Sequence, residues 1–323
     1  MRYGVPGCDC MNFESYTPLQ QSIIRTLAFF DLFSQPLTVQ EVYRFLYCPP
    51  SGVVLADVVR ELEHASYVTK LDGVYALKNG RATMRSRGEH QRQYIQKMKR
   101  AKRATSLISL VPFVRAVFVC NTVGFGVPTE QSDIDIVVIT KDKTVFLTRF
   151  LVTMLLSITG FRRHGRQVKN KVCLSFYLTE SSLSLQSLAI ERDIYLQYWI
   201  VLLIPIYDPQ QIHARMLVDN AWVNETLPFA CTPYIAASHI RVSDTVCGRL
   251  VRSICSFQCL LSLWRVGEMV AKRLQLWWMR EKLARSRQIQ TAVIVSDSML
   301  KFHEEDRRVL YRDEWENTCK MWS

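Results

Sequence analysis

The sequence predicts an α+β protein in which a sheet-bearing centre lies between two mainly helical flanks. Three observations carry this. Short β-branched runs crowd the middle of the chain: VRAVFVC over 114–120, SDIDIVVI over 132–139 and KVCLSFYL over 171–178. A helical stretch over 144–159 separates the second run from the third. Residues before and after this centre place apolar side chains at helical spacing instead. At 323 residues the chain suits two or three domains.

The N-terminal elements follow in order. A polar, Gly- and Pro-spotted stretch over 1–18 reads as a flexible tail. Ile23, Ile24, Leu27 and Phe30 then line one face of a first helix. Thr38-Val-Gln-Glu41 after Pro36 is a capping box, and starts a second helix through Val42, Phe45 and Leu46. A third runs over 55–66 with Val58, Val59 and Leu62 on its apolar face. Residues 67–77 alternate around Asp72-Gly73, a strong hairpin signal. Three helices closed by a hairpin resemble a winged helix-turn-helix, which sets a winged-helix-like domain over 19–80. Its third helix would enter a major groove, yet offers Arg60 beside Asp57, Glu61 and Glu63, so a protein-docking or packing unit is the other reading.

Residues 81–110 form a basic linker helix. Lys97, Lys99, Arg100, Lys102 and Arg103 crowd its second half. They read as a phosphate-binding stripe for nucleic acid or as a solvated face. A core domain follows over 111–210, and a helical region over 211–323. Residues 275–287 of that region are amphipathic and basic, with Trp277 and Trp278. Such a helix lies on a membrane, binds a partner or packs on the neighbouring domain. The later stretch SDSMLKFHEEDRRVLYRDEW opens with a helix cap at Ser296 or Asp297, and its His303 reads as structural.

Composition narrows the function classes. Apolar residues make up 49% and charged residues 22%, which excludes wholesale disorder and a coiled-coil rod. Lys and Arg number 41 against 29 acids, a net charge of +12. That excess points to an anionic partner: nucleic acid, nucleotide phosphates or a membrane surface. The ten cysteines include no C-x-x-C pair and lack metal-ligand spacing to histidine. The opening MRYGVPGCDCMNFES has no apolar signal-peptide region, so free thiols in a cytoplasmic, reducing setting are expected. Two apolar stretches, 146–160 and 195–207, fall short of the roughly 18–20 residues that span a bilayer and read as buried core.

The chemistry concentrates after Pro112. A small-residue turn over 121–128 follows the first strand. Asp133 and Asp135, two apart on the next strand, share a face. Adjacent acids repel and raise each other's pKa, and a divalent cation removes that penalty. Asn121-Thr122, Gly126 and Ser132-Asp-Ile-Asp135, at these spacings, resemble the signature of the DNA polymerase β-like nucleotidyltransferase superfamily, especially its minimal members. The likeness spans residues 116–178, and the whole layout resembles bacterial nucleotidyltransferase-domain proteins with an N-terminal winged helix. It implies a small mixed sheet and Mg²⁺- or Mn²⁺-dependent transfer of a nucleoside monophosphate from an NTP to an acceptor, nucleic acid or protein. Asp133 and Asp135 would hold the metal, while Asn121, Thr122, Gly124, Gly126 and Ser132 would cradle the nucleotide.

Two positions depart from the family pattern. Asn121-Thr122 stands where the family has Gly-Ser. The usual third acid, on a later strand, is missing: Ser175 occupies its expected place, and Glu180 is the nearest carboxylate. A catalytically degenerate nucleotide- or nucleic-acid-binding module is therefore the alternative to an enzyme. Arg162, Arg163, Arg166, Lys169 and Lys171 lie before the third strand and read as phosphate contacts or as a solvated loop.

Overall fold

The computed structural model describes residues 15–165, 167–233, 237–244, 248–250, 258–279, 293–302 and 306–322. The expectations for the tail over 1–14, for Arg166, for His303 and for the helix beyond residue 279 lie outside these residues. The protein is mixed α and β, with a three-stranded and a six-stranded sheet.

The N-terminal unit comprises α1 (Pro18–Asp31), β1 (Leu37–Thr38), α2 (Val39–Arg44), α3 (Leu55–His64) and the hairpin β2 (Val68–Leu71) and β3 (Val74–Leu77). The capping box forms as its sequence requires: Thr38 Oγ1 accepts from the Glu41 amide, and the Glu41 carboxylate accepts from the Thr38 amide. Asp72 and Gly73 both take positive φ, 43° and 84°, the hairpin turn whose twist matches its strands. The small strand β1 pairs with β3 and closes the sheet in the order β1-β3-β2.

A single helix, α4 (Met84–Ile108), leads into the centre. There β4 (Val114–Val119), the one-turn helix α5 (Asn121–Gly124), β5 (Ile134–Thr140), α6 (Val145–Ile158), β6 (Val172–Thr179), α7 (Ile194–Val201), β7 (Ile204–Tyr207) and α8 (Ile212–Asp219) follow. β5 and β6 are parallel, and the remaining pairs are antiparallel. Of the two apolar stretches that fell short of a bilayer span, 195–207 is interior, whereas 146–160 buries one side and leaves Met154 and Ile158 exposed. Phe146, Val152 and Leu156 of α6 are fully buried, as are Ile194 and Tyr198 of α7. Among the described residues no helix is long and apolar enough to cross a membrane.

The C-terminal region departs from the all-helical expectation. After α9 (Gln258–Trp278), β8 (Val293–Val295) and β9 (Met299–Phe302) extend the sheet to the order β7-β4-β5-β6-β9-β8, and α10 (Arg308–Lys320) follows. The cap expected at Ser296 is a strand turn, where Ser296 Oγ accepts from the Met299 amide. Three- and four-residue strands are too short to show a periodicity, and β9 is held by its pairing with β6.

The sheet separates two apolar layers. One face carries Val117, Val119, Ile134, Ile136 and Val138 against α4, α6 and α9. The other carries Ala116, Phe118, Val137 and Ile139 against α7, α8, α10 and the N-terminal unit. That second core is continuous across the expected boundary at residues 80–111. Phe29 of α1 stacks on Tyr198 of α7 at 4.0 Å, and the Tyr198 hydroxyl donates to the Phe45 carbonyl at 2.8 Å.

One cysteine reading needs correction. Cys48 is disulfide-bonded, whereas Cys120, Cys173, Cys231 and Cys319 are free.

Candidate metal and nucleotide site

Asp133 and Asp135 meet at the N-terminal end of β5, on the sheet face that carries the larger core. The strand alternation that puts Ile134 and Ile136 beneath α4 and α6 turns both carboxylates the other way. Across the parallel ladder, Asp135 pairs with Cys173 of β6. The carboxylates and the Cys173 thiol bring ligand atoms within 4.8 Å of one another.

The third donor is thus Cys173. The ladder pairs Asp135 with Cys173 but Val137 with Phe176, so β6 holds one more residue than β5 across this interval. This β-bulge turns Tyr177 to the opposite face, among Val117 and Val138, rather than onto the face of Cys173 and Ser175 as plain alternation predicts. Ser175 is buried and hydrogen-bonds to Cys173, supporting the thiol. Glu180 lies beyond the far end of β6, about 20 Å from Cys173 along the strand. It is paired with Arg115 at 3.4 Å and is removed from the candidate ligands.

Electrostatics sharpen the cluster. Burial, then the neighbouring Asp133 charge, pushes Asp135 up to about 7; hydrogen bonds from Asn121 and Cys173 and the charge of Arg163 pull against this. Burial, then Asp135 and Asp133, pushes the Cys173 thiol up to about 12, so it keeps its proton at neutral pH. Arg163, which the sequence placed only in a basic loop, donates to Asp133 Oδ2 at 2.7 Å. Its neighbours have other work: Arg162 donates to Ser157 Oγ, Lys171 to the Gly160 carbonyl and Lys169 to Glu130.

Asn121 opens α5 at φ 51°. Asn tolerates this left-handed conformation better than most residues, so the position remains open without glycine. Its Oδ1 accepts from Trp199 Nε1 at 2.8 Å and from the Tyr195 hydroxyl at 3.4 Å. With Oδ1 so committed, the amide nitrogen is left to bond Asp135. Trp199 and Tyr195 were not legible in the sequence, because nothing local marks α7 as the wall behind this turn. Thr122 Oγ1 is buried without a hydrogen-bond partner.

The two loop glycines do different things. A Cβ on Gly124 would lie 3.1 Å from the Leu202 carbonyl and 3.3 Å from that of Val119, so Gly124 serves close packing beneath the turn. Gly126, at φ 76°, has open space where a Cβ would stand, and its own N–H donates to the Val123 carbonyl at 3.1 Å. Ser132 Oγ accepts from the Thr129 amide at 3.0 Å and so closes the loop that precedes Asp133.

The basic linker does not present the expected stripe. Lys97 is fully buried. Its ammonium donates to the Ser132 carbonyl at 2.7 Å, Asn170 Oδ1 at 2.9 Å and the Glu130 carbonyl at 3.4 Å. It is a strut beneath the loop, and no phosphate reaches it. Arg100 lies over the Phe161 ring at 5.1 Å, and Lys102 donates to the His239 carbonyl at 2.7 Å. Lys99 and Arg103 are exposed.

No family model, curated protein or solved structure matches the chain.

Proposed function

We propose that the chain is a divalent-cation-dependent nucleotidyltransferase, moving a nucleoside monophosphate from an NTP to an acceptor. The observation that carries this reading is the convergence of Asp133, Asp135 and Cys173 within 4.8 Å beside the open turn at Gly126. Two carboxylates and a thiol fit a divalent cation, and the orphan Thr122 hydroxyl adds a polar group near it in sequence. Asp133 and Asp135 would hold Mg²⁺ or Mn²⁺ through their oxygens, while the Cys173 thiol beside them is a soft donor that suits a softer divalent cation. When bound, the cation neutralises charge on the triphosphate.

The chain's own residues then have separable tasks. Asn121, set by Trp199 and Tyr195, holds the Asp135 carboxylate in place. Thr122, whose hydroxyl has no partner in the turn, would meet a phosphate oxygen, and the positive φ of Gly126 shapes the turn beside it. Arg163, paired with Asp133 at 2.7 Å, would supply the guanidinium nearest the carboxylates for the nucleotide's phosphates. A winged-helix-like N-terminal unit would serve the acceptor or pack on the core. The acids of its third helix favour packing, and Arg60 there is already paired with Asp57.

A second reading has its own support. Arg163 neutralises Asp133, and a thiol stands where a third acid would be; both suit a site that binds nucleotide without turning it over. Labelled NTPs with Mg²⁺ or Mn²⁺ and total cellular RNA and protein separate the two. Metal-dependent release of pyrophosphate, lost in Asp133→Asn/Asp135→Asn, supports transfer. Metal-dependent binding without release selects the second reading, and unchanged nucleotide affinity in the double variant would sink both. The apo double variant should be at least as stable as the parent, because the repulsion between the acids is gone.

A further inference from the structure

Helix α9 is held on the sheet layer by two polar side chains beside Trp264 and Ala271 and leaves a row of apolar side chains outward. Its single acid, Glu268, accepts from the Phe146 and Leu147 amides at 3.0 and 2.7 Å. Gln275 donates to the Phe146 carbonyl at 2.7 Å and accepts from Arg149. These contacts clamp the helix on α6. Leu263, Val266, Val270, Leu274, Trp277 and Trp278 are left between 41% and 65% exposed. At 100° per residue they share one broad arc. Ile158 of the supporting helix α6 is 77% exposed. An apolar surface of this kind on a folded chain marks a contact site.

Charge selects what covers it. The exposed side of α9 carries Arg265 and Arg273 and no acid. Directly after the tryptophans the sequence continues with Arg280, Lys282, Arg285 and Arg287 against one acid, Glu281. A second copy docked through the same face would bring these like charges together. Anionic lipid headgroups would neutralise them, while the leucines, valines and indoles enter the acyl boundary.

We propose that α9 is a membrane-surface anchor, lying in the headgroup layer of an anionic bilayer with Trp277 and Trp278 inserted. This does not rest on the nucleotide reading.

The test is co-sedimentation of the full chain with phosphatidylcholine vesicles, with and without one-third phosphatidylglycerol, alongside tryptophan emission and sedimentation velocity. Binding should need the anionic lipid, shift the emission to the blue and weaken with salt. Trp277→Ser/Trp278→Ser should lower binding by at least about tenfold with an unchanged circular dichroism spectrum, since both side chains are largely exposed. Arg265→Glu/Arg273→Glu should weaken binding to anionic vesicles while leaving that spectrum unchanged. Indifference of the wild type to anionic vesicles, or equal binding to neutral ones, overturns the proposal. So does a dimer in solution that the tryptophan pair abolishes, because a second copy then covers this face.

Discussion

Lys97 uses all three ammonium protons on the loop and strand entry that lead into Asp133, which makes one residue answerable for both stability and site geometry. Lys97→Met keeps the aliphatic bulk but leaves the part-buried Ser132 and Glu130 carbonyls and the Asn170 amide oxygen short of a donor. At about 1–3 kcal/mol for such an orphaned group, the variant should unfold at visibly lower urea and bind Mn²⁺ more weakly, read by denaturation and metal titration. His213 gives a second outcome. It is buried with neither ring nitrogen partnered, and burial, then Arg44, lowers its pKa from 6.5 to about 4. Between those values the unfolded chain binds a proton that the folded chain refuses. The stability this contributes is therefore complete above pH 6.5 and is lost as pH falls towards 4. The gap corresponds to about 3 kcal/mol. His213→Leu should flatten the acid limb of the stability profile in that window, measured by urea midpoints from pH 7 to pH 4.

At the scale of elements, α4 divides its basic residues between two jobs, and a salt titration tells them apart. Among the described residues, only Lys99 and Arg103 of the expected stripe are both exposed and without a contact that occupies the charge. If α4 meets nucleic acid, neutralising that pair should reduce the salt slope of binding by about 0.7–0.9 per lost phosphate contact. An unaltered slope in filter binding assigns the helix to spacing alone. Both α4 and α6 are legible in the sequence as helical stretches, and a two-residue period puts Asp133 and Asp135 on one face, because these signals are local. Which residue of β6 stands beside those acids depends on register, and the bulge before Phe176 shifts that register by one. Alternation puts Cys173 and Ser175 on one face without choosing between them, and the pairing of Asp135 with Cys173 places the thiol beside the acids. Buried Lys97 was unreadable for a related reason: a one-signed run of charges looks the same whether its members face solvent or a loop carbonyl. The hairpin of β8 and β9 was missed because its strands gain their structure from pairing with a distant partner.

Across the whole molecule, the larger core runs from α1 through α7 and α8 to α10, so the N-terminal unit and the sheet should unfold in one transition rather than as separate domains. The C-terminus is pinned into this core at two places. Trp315 Nε1 donates to the Arg25 carbonyl at 2.9 Å. Arg308, just inside α10, donates to Asp193 at 2.7 Å and to Asp306 at 2.6 Å; its side chain is 8% exposed and that of Asp193 is 1%. Asp193 also caps α7, accepting from the Leu196 amide at 2.9 Å, and α7 carries the Tyr195 and Trp199 that orient Asn121 against Asp135. The chain end is thereby linked to the candidate site through one carboxylate. Removing the cation from a buried pair leaves a charge without compensation, typically a loss of about 3–5 kcal/mol. Arg308→Met should destabilise the protein by that order and weaken Mn²⁺ binding, although residue 308 is no ligand. Asp193→Asn in the same background removes the stranded charge and keeps an oxygen to cap α7, so it should recover part of both losses. If Arg308→Met lowers the urea midpoint but leaves Mn²⁺ affinity untouched, the path through α7 does not exist and the C-terminal helix acts on stability alone.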